Sequence, residues 1–219
     1  KPFAKGRIYA TGGSGGGNVS LMAGKFAPRT FAVIIDLCGM AKLSDDIAFD
    51  LPGGSRLDAG YSQDPASPRY LPPHAQELRF LGHPGHLRAM KQLGCATHTI
   101  LVHGADDDVC PVADKQELAE HMREAGLDVE AHFITSADLD GKVLTSSGHP
   151  LGDRTEIVCK FAAERLRPEA ETKRAQNAPN DFDCRDEKTV YEVTGGKYII
   201  SYLEGWPVLR FVPTPSAKP

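Results

Sequence analysis

Short continuous apolar runs recur along the chain, and most are followed by a stretch whose apolar residues repeat at helical spacing. GRIYAT (Gly6 to Thr11) predicts a short buried strand, and NVSLMAGKFA (Asn18 to Ala27) predicts a helix with Val19, Met22, Ala23 and Phe26 on one side. FAVIIDL (Phe31 to Leu37) is a β-branched run of the kind found in parallel sheets covered on both faces. THTILVHG (Thr97 to Gly104) and DVEAHFIT (Asp128 to Thr135) predict a third and a fourth strand. Helices are expected around Gly85 to Leu93, over Pro111 to Glu124 with Gly126 just past its end, and over Asp153 to Leu166. Asp153 stands at the last helix's cap position and Glu156 at its capping-box position. Strands alternating with helices specify an α/β protein with a mostly parallel sheet flanked by helices.

The pattern dissolves in two places. From Gly39 to Pro84 the chain is rich in Pro, Gly, Ser and Asp, which predicts an irregular excursion over the surface near the site. From 168 to 187 it is polar and poor in apolar residues, which predicts a linker-like segment. TVYEVTGGKYIISY then predicts a β-hairpin turning at Gly195-Gly196, with Trp206 and Phe211 as candidate anchors. The organisation expected is therefore a partial α/β domain over 1–167, with its excursion at 39–84, then the linker-like segment and a small C-terminal β element over 188–219.

Composition narrows the partners. The 219 residues carry a formal charge of -4 with acids and bases interspersed, which offers no basic face for nucleic acid and no polybasic membrane anchor. No apolar run approaches the ~18 residues of a membrane helix. The five cysteines, Cys38, Cys95, Cys110, Cys159 and Cys184, are scattered and never form C-x-x-C, so they read as reduced thiols and indicate neither a disulfide framework nor a zinc knuckle. A small molecule or a peptide is the expected partner, with no cofactor and no metal.

The run GGSGGG, Gly12 to Gly17, contains G-x-S-x-G between a strand and a helix. A linker would border domain ends, and a phosphate loop would need Gly-Lys-Ser/Thr or G-x-G-x-x-G, neither of which fits here. A nucleophile elbow fits, because its serine sits on a strained strand-to-helix turn whose flanking residues must be small. A serine hydroxyl needs a histidine to take its proton and an acid to orient that histidine. Acid candidates follow the third strand in LVHGADDDVCP: Asp106, Asp107 and Asp108. Among the eight histidines, His149 lies in a glycine-flanked loop before the last helix. His74, His83 and His86 fall in or beside the excursion and read as surface residues, although HPGH has metal-like spacing. His98, His103 and His132 read as packed on strands, and His121 as solvated on a helix.

With GGSGG after a strand, HGADDDVCP, and GHP before the last helix, the sequence from about Arg7 to Leu166 resembles the α/β-hydrolase superfamily. The resemblance is to the branch of serine hydrolases with prolyl-oligopeptidase-like peptidases and dienelactone-hydrolase-like esterases. It implies Ser14 as nucleophile, His149 as base and Asp107, three residues after Gly104, as the acid, with Asp106 and Asp108 capping or solvating the turn. Asp36, at the end of the second strand, is a reserve acid. The backbone N–H of Gly15 is the implied oxyanion donor, and Gly12 and Gly16 are the elbow glycines. Cleavage of an ester or amide through an acyl-enzyme is the activity implied, against a non-catalytic binding or scaffold role for the same fold. Because the elbow strand comes so early, the resemblance covers only the C-terminal portion of the fold, and the chain is expected to be a fragment, poorly folded or inactive by itself.

Overall fold

The computed structural model describes residues 6–167, 181, 187–203 and 206–215. Cys184 and nearly all of the linker-like segment lie outside these residues. Cys38, Cys95, Cys110 and Cys159 are free thiols.

Four parallel strands stand in sequence order, β1 Tyr9–Gly13, β2 Val33–Leu37, β3 His98–Gly104 and β4 Asp128–Ile134. β2 and β3 are buried throughout, as their continuous apolar runs require. Helices α1 Gly15–Phe26, α4 Pro84–Gln92 and α5 Val112–Glu124 help cover one face, where Leu21, Leu87, Met90, Leu118 and Met122 pack with Ile34 and Leu101. Helix α6 Arg154–Leu166 covers the other, placing Ile157 and Ala162 against Ile35 and Ile100. Gly13, Leu37, Gly104 and Ile134 end their strands on one side of the sheet, and open parallel sheets carry their functional loops at this carboxyl edge.

Helix α1 differs from its sequence pattern in two ways. It begins at Gly15, inside the glycine run, and it buries Gly17, Ser20, Leu21, Gly24 and Lys25 rather than the expected side, with Val19 65% exposed. Close approach decides the face: a Cβ on Gly24 would lie 2.3 Å from Ile34 Cδ1, so the helix lies too near the sheet for a larger side chain.

The excursion holds two short helices, α2 Asp45–Phe49 and α3 Pro73–Leu78, around a small core of Leu43, Ile47, Ala48 and Leu71. Elements this short show too few turns for periodicity to register. The C-terminal element has one strand more than the predicted hairpin, forming an antiparallel meander of β5 Lys188–Val193, β6 Gly196–Leu203 and β7 Trp206–Pro213. Phe211 stacks on His74 with ring centroids 4.1 Å apart, while the Trp206 side chain lies outside the described residues.

The meander packs Tyr191, Ile200 and Tyr202 against Leu78, Phe26 and Ala89. The last turn of a helix leaves carbonyls without intrahelical partners. Here the hydroxyls of Tyr191 and Tyr202 donate to the carbonyls of Lys25 and Phe26 at the end of α1. His86, 1% exposed, donates from Nε2 to the Glu192 carbonyl at 3.1 Å, and Thr194 N–H donates to Glu77 at 2.8 Å. His83 is half-buried at the start of α4, its Nδ1 accepting from Gly85 and His86 N–H. The HPGH histidines are thus packing residues at a helix start rather than surface ones. His121 is likewise not free in solvent, since its Nδ1 donates to the Gly82 carbonyl at 2.7 Å.

Burial lowers His86 to a pKa of about 3 and His103 to about 4, from 6.5. The unfolded chain therefore takes up protons first as pH falls below 6.5, so the stability from these neutral histidines is complete above that pH and is lost on acidification. Denaturant titrations between pH 7 and 5 are expected to show falling stability, by at most about 1.4 kcal/mol per unit for each histidine. His86→Gln is expected to flatten that slope.

Candidate active site

The glycine run supplies the turn. Ser14 has φ 55° and ψ -123°, a conformation that costs a non-glycine residue about 1–3 kcal/mol and persists only where its surroundings enforce it. Two bonds enforce it: Ser14 N–H donates to the Leu37 carbonyl at 2.8 Å, and Asn18 N–H to the Ser14 carbonyl at 3.1 Å. A Cβ on Gly12 would lie 2.3 Å from the Gly16 carbonyl carbon, whereas one on Gly15 or Gly16 would meet nothing within 4 Å. The requirement for glycine thus falls on Gly12, with Gly16 contributing a close backbone. Gly17 has a requirement the motif does not show, since a Cβ there would lie 2.1 Å from Asp36 Oδ1.

The acid and histidine loops are joined to each other. Asp106 N–H donates to the Ser147 carbonyl at 2.9 Å, and Ser147 Oγ donates to Asp106 at 2.6 Å. A Cβ on Gly104 would fall 2.3 Å from that same Ser147 carbonyl oxygen, so the glycine of HGADDD lets the His149 loop lie against the end of β3. Asp108 pairs with Arg56 of the excursion at 3.0 Å, and Ser55 Oγ donates to the Val109 carbonyl at 2.6 Å.

These contacts bring Ser14, His149 and Asp107 into one line. His149 Nδ1 donates to Asp107 Oδ2 at 2.9 Å, which leaves Nε2 as the acceptor for Ser14 Oγ at 2.9 Å. Burial by itself would raise the Asp107 carboxyl, but the N–H groups of Cys110 and Val109, together with His149, outweigh it and hold the pKa below the ordinary value. His103 Nε2 lies 3.3 Å from Asp107 and donates to the Cys110 carbonyl at 2.7 Å. Gly15 is the first residue of α1, where a helix leaves backbone N–H groups without intrahelical partners.

The reserve acid Asp36 lies elsewhere. Its Oδ2 accepts from Lys115 Nζ at 2.6 Å, both side chains fully buried, and its Oδ1 accepts from Gly39 N–H at 3.0 Å. It braces the underside of α1 while Asp107 meets the histidine.

Among the described residues, two groups of side chains have metal-ligand chemistry, Cys38 with His103 and Asp107, and Glu77 with His83 and His86. Neither donor set fits an ion. In the first, burial pushes the Cys38 thiol well up and keeps it protonated, and Asp107 is engaged with His149. In the second, His83 Nδ1 accepts two N–H bonds, which fixes its proton on Nε2, facing Glu77 at 3.2 Å.

A family model described as a protein of unknown function, DUF2920, matches residues 55–187, more than half of the chain. The chain belongs to the DUF2920 family. The matched span of this DUF2920 protein holds Asp107 and His149 and begins after Ser14. A search of the curated proteins found no match. Among solved structures, the chain is similar to Pyrococcus horikoshii acylaminoacyl peptidase, uncomplexed, with a TM-score of 0.54 and 17% identity over 76% of this chain and 25% of that one. The orthorhombic crystal form of that peptidase gives 0.51 and 15%, with the same coverage. An esterase from Thermogutta terrifontis gives 0.45 and 19% over 76% of this chain and 58% of that one. The DUF2920 chain therefore has the C-terminal part of an α/β-hydrolase fold, and it spans about a quarter of the length of the peptidase chains.

Gly12→Ala is expected to destabilise the protein by about 1–3 kcal/mol, because the methyl group overlaps the Gly16 backbone. Gly15→Ala, with open space for its methyl, is expected to leave the thermal midpoint nearly unchanged. Thermal unfolding of the two variants measures the difference.

Proposed function

We propose that this protein is a serine hydrolase that cleaves an ester or amide in a small-molecule or peptide substrate through an acyl-enzyme. One observation carries the reading: Ser14 Oγ, His149 and buried Asp107 form a continuous hydrogen-bonded line at the carboxyl edge of the sheet, on a turn that holds serine at positive φ. Ser14 attacks the carbonyl carbon while His149 Nε2 takes the hydroxyl proton, and the ionised Asp107 stabilises the imidazolium and fixes its tautomer. The Gly15 N–H donates to the developing oxyanion. His149 returns its proton to the leaving oxygen or nitrogen, and water then attacks the acyl-serine by the reverse proton path. No cofactor enters these steps.

A fluorophosphonate probe tests the reading on the full-length protein. Stoichiometric labelling that disappears in Ser14→Ala is expected; absence of labelling, or labelling that survives in Ser14→Ala, overturns it and leaves the non-catalytic binding role. Asp107→Asn is expected to reduce kcat on a turned-over ester by about 10⁴-fold, because the histidine loses the acceptor that sets its tautomer.

A further inference from the structure

Gly13 fills a variable place of the G-x-S-x-G pattern, where the turn makes no demand for glycine. What Gly13 meets comes from across the fold. A Cβ on Gly13 would lie 2.6 Å from Nε and Cζ and 2.8 Å from Cδ of Arg154. The guanidinium of Arg154 therefore rests against the backbone of the residue that precedes Ser14, in space that any other side chain would take. Arg154 opens α6, in the turn that follows His149, so the histidine loop and the arginine reach the elbow together.

Arg154 is exposed and forms no ion pair among the described residues. The acids of the loops around the site have other partners: Asp106 holds Ser147, Asp107 holds His149, Asp108 holds Arg56, and Asp153 accepts the first N–H groups of α6. The guanidinium thus lies against the residue before the candidate nucleophile without an ion pair among the described residues, and a guanidinium is a planar fork that binds carboxylates through two parallel N–H donors. Gly13 and Ser14 are consecutive, with Cα atoms about 3.8 Å apart, so the guanidinium and the candidate nucleophile share one short stretch of backbone.

We propose that Arg154 forms a carboxylate-binding subsite and that the substrate carries a carboxylate close to the bond that is cleaved. This rests on the Ser14 hydrolase reading and narrows its substrate class to anionic esters or amides. Arg154 acts here as a specificity residue, and the chemistry remains with Ser14, His149 and Asp107.

The test compares isosteric esters on the full-length protein. Mono-4-nitrophenyl succinate against 4-nitrophenyl butyrate places the carboxylate on the acyl side. 4-Carboxyphenyl acetate against 4-carbamoylphenyl acetate places it on the leaving side. In at least one pair, kcat/KM is expected to favour the carboxylate, mainly through KM, and Arg154→Gln is expected to reduce that preference at least tenfold. Arg154→Lys is expected to restore part of it, since an ammonium supplies the charge without the fork. Turnover with no carboxylate preference in either pair, or a preference that Arg154→Gln leaves intact, overturns the subsite and leaves the hydrolase reading standing. Turnover of none of the four esters, with no fluorophosphonate labelling of Ser14, overturns both.

Discussion

The close contact between Gly12 and the Gly16 backbone is the constraint on which the site depends. It lets β1 run into α1 with a single residue between them, and that residue is forced to positive φ. The Leu37 carbonyl then ties the turn to the neighbouring strand. A serine in an ordinary turn would keep its hydroxyl mobile. This one is presented to His149 by backbone that cannot relax without separating the helix from the sheet.

Electrostatics around the turn divide two carboxylates between two tasks. Asp36 lies near the carboxyl end of β2 and Asp107 follows the adjacent β3 at the same edge, and both are buried. Asp36 is neutralised by Lys115, a pairing whose loss would leave a buried charge uncompensated at about 3–5 kcal/mol. Asp107 instead gathers the backbone N–H groups of Val109 and Cys110 and the ring N–H of His149, with the His103 ring 3.3 Å away. The cation for Asp36 comes from α5, so the ionic arrangement follows from the packing of helices and not from the loops themselves.

The far end of α1 is held as firmly as its start. Two tyrosine hydroxyls from the C-terminal meander take the last carbonyls of α1, and the HPGH segment joins α4 to the meander through His86. The meander is thus mechanically part of the platform beneath Ser14. The excursion meets the site from the other direction, with Arg56 and Ser55 bound to the acid loop.

The sequence by itself determined the alternation of strands and helices, because β-branched runs and helical spacing are local properties of the chain. It also determined the order of the candidate residues, Ser14, then the acids Asp106 to Asp108, then His149, while only the family resemblance singles out Asp107 among the acids. Only the tertiary structure decided which face of α1 is buried, since Gly24 of the helix meets Ile34 of β2. It decided too that Asp36 pairs with Lys115, that His83 and His86 are interior, and that Arg154 lies on Gly13. Each of these contacts joins residues from different elements, and no local pattern records which elements will meet.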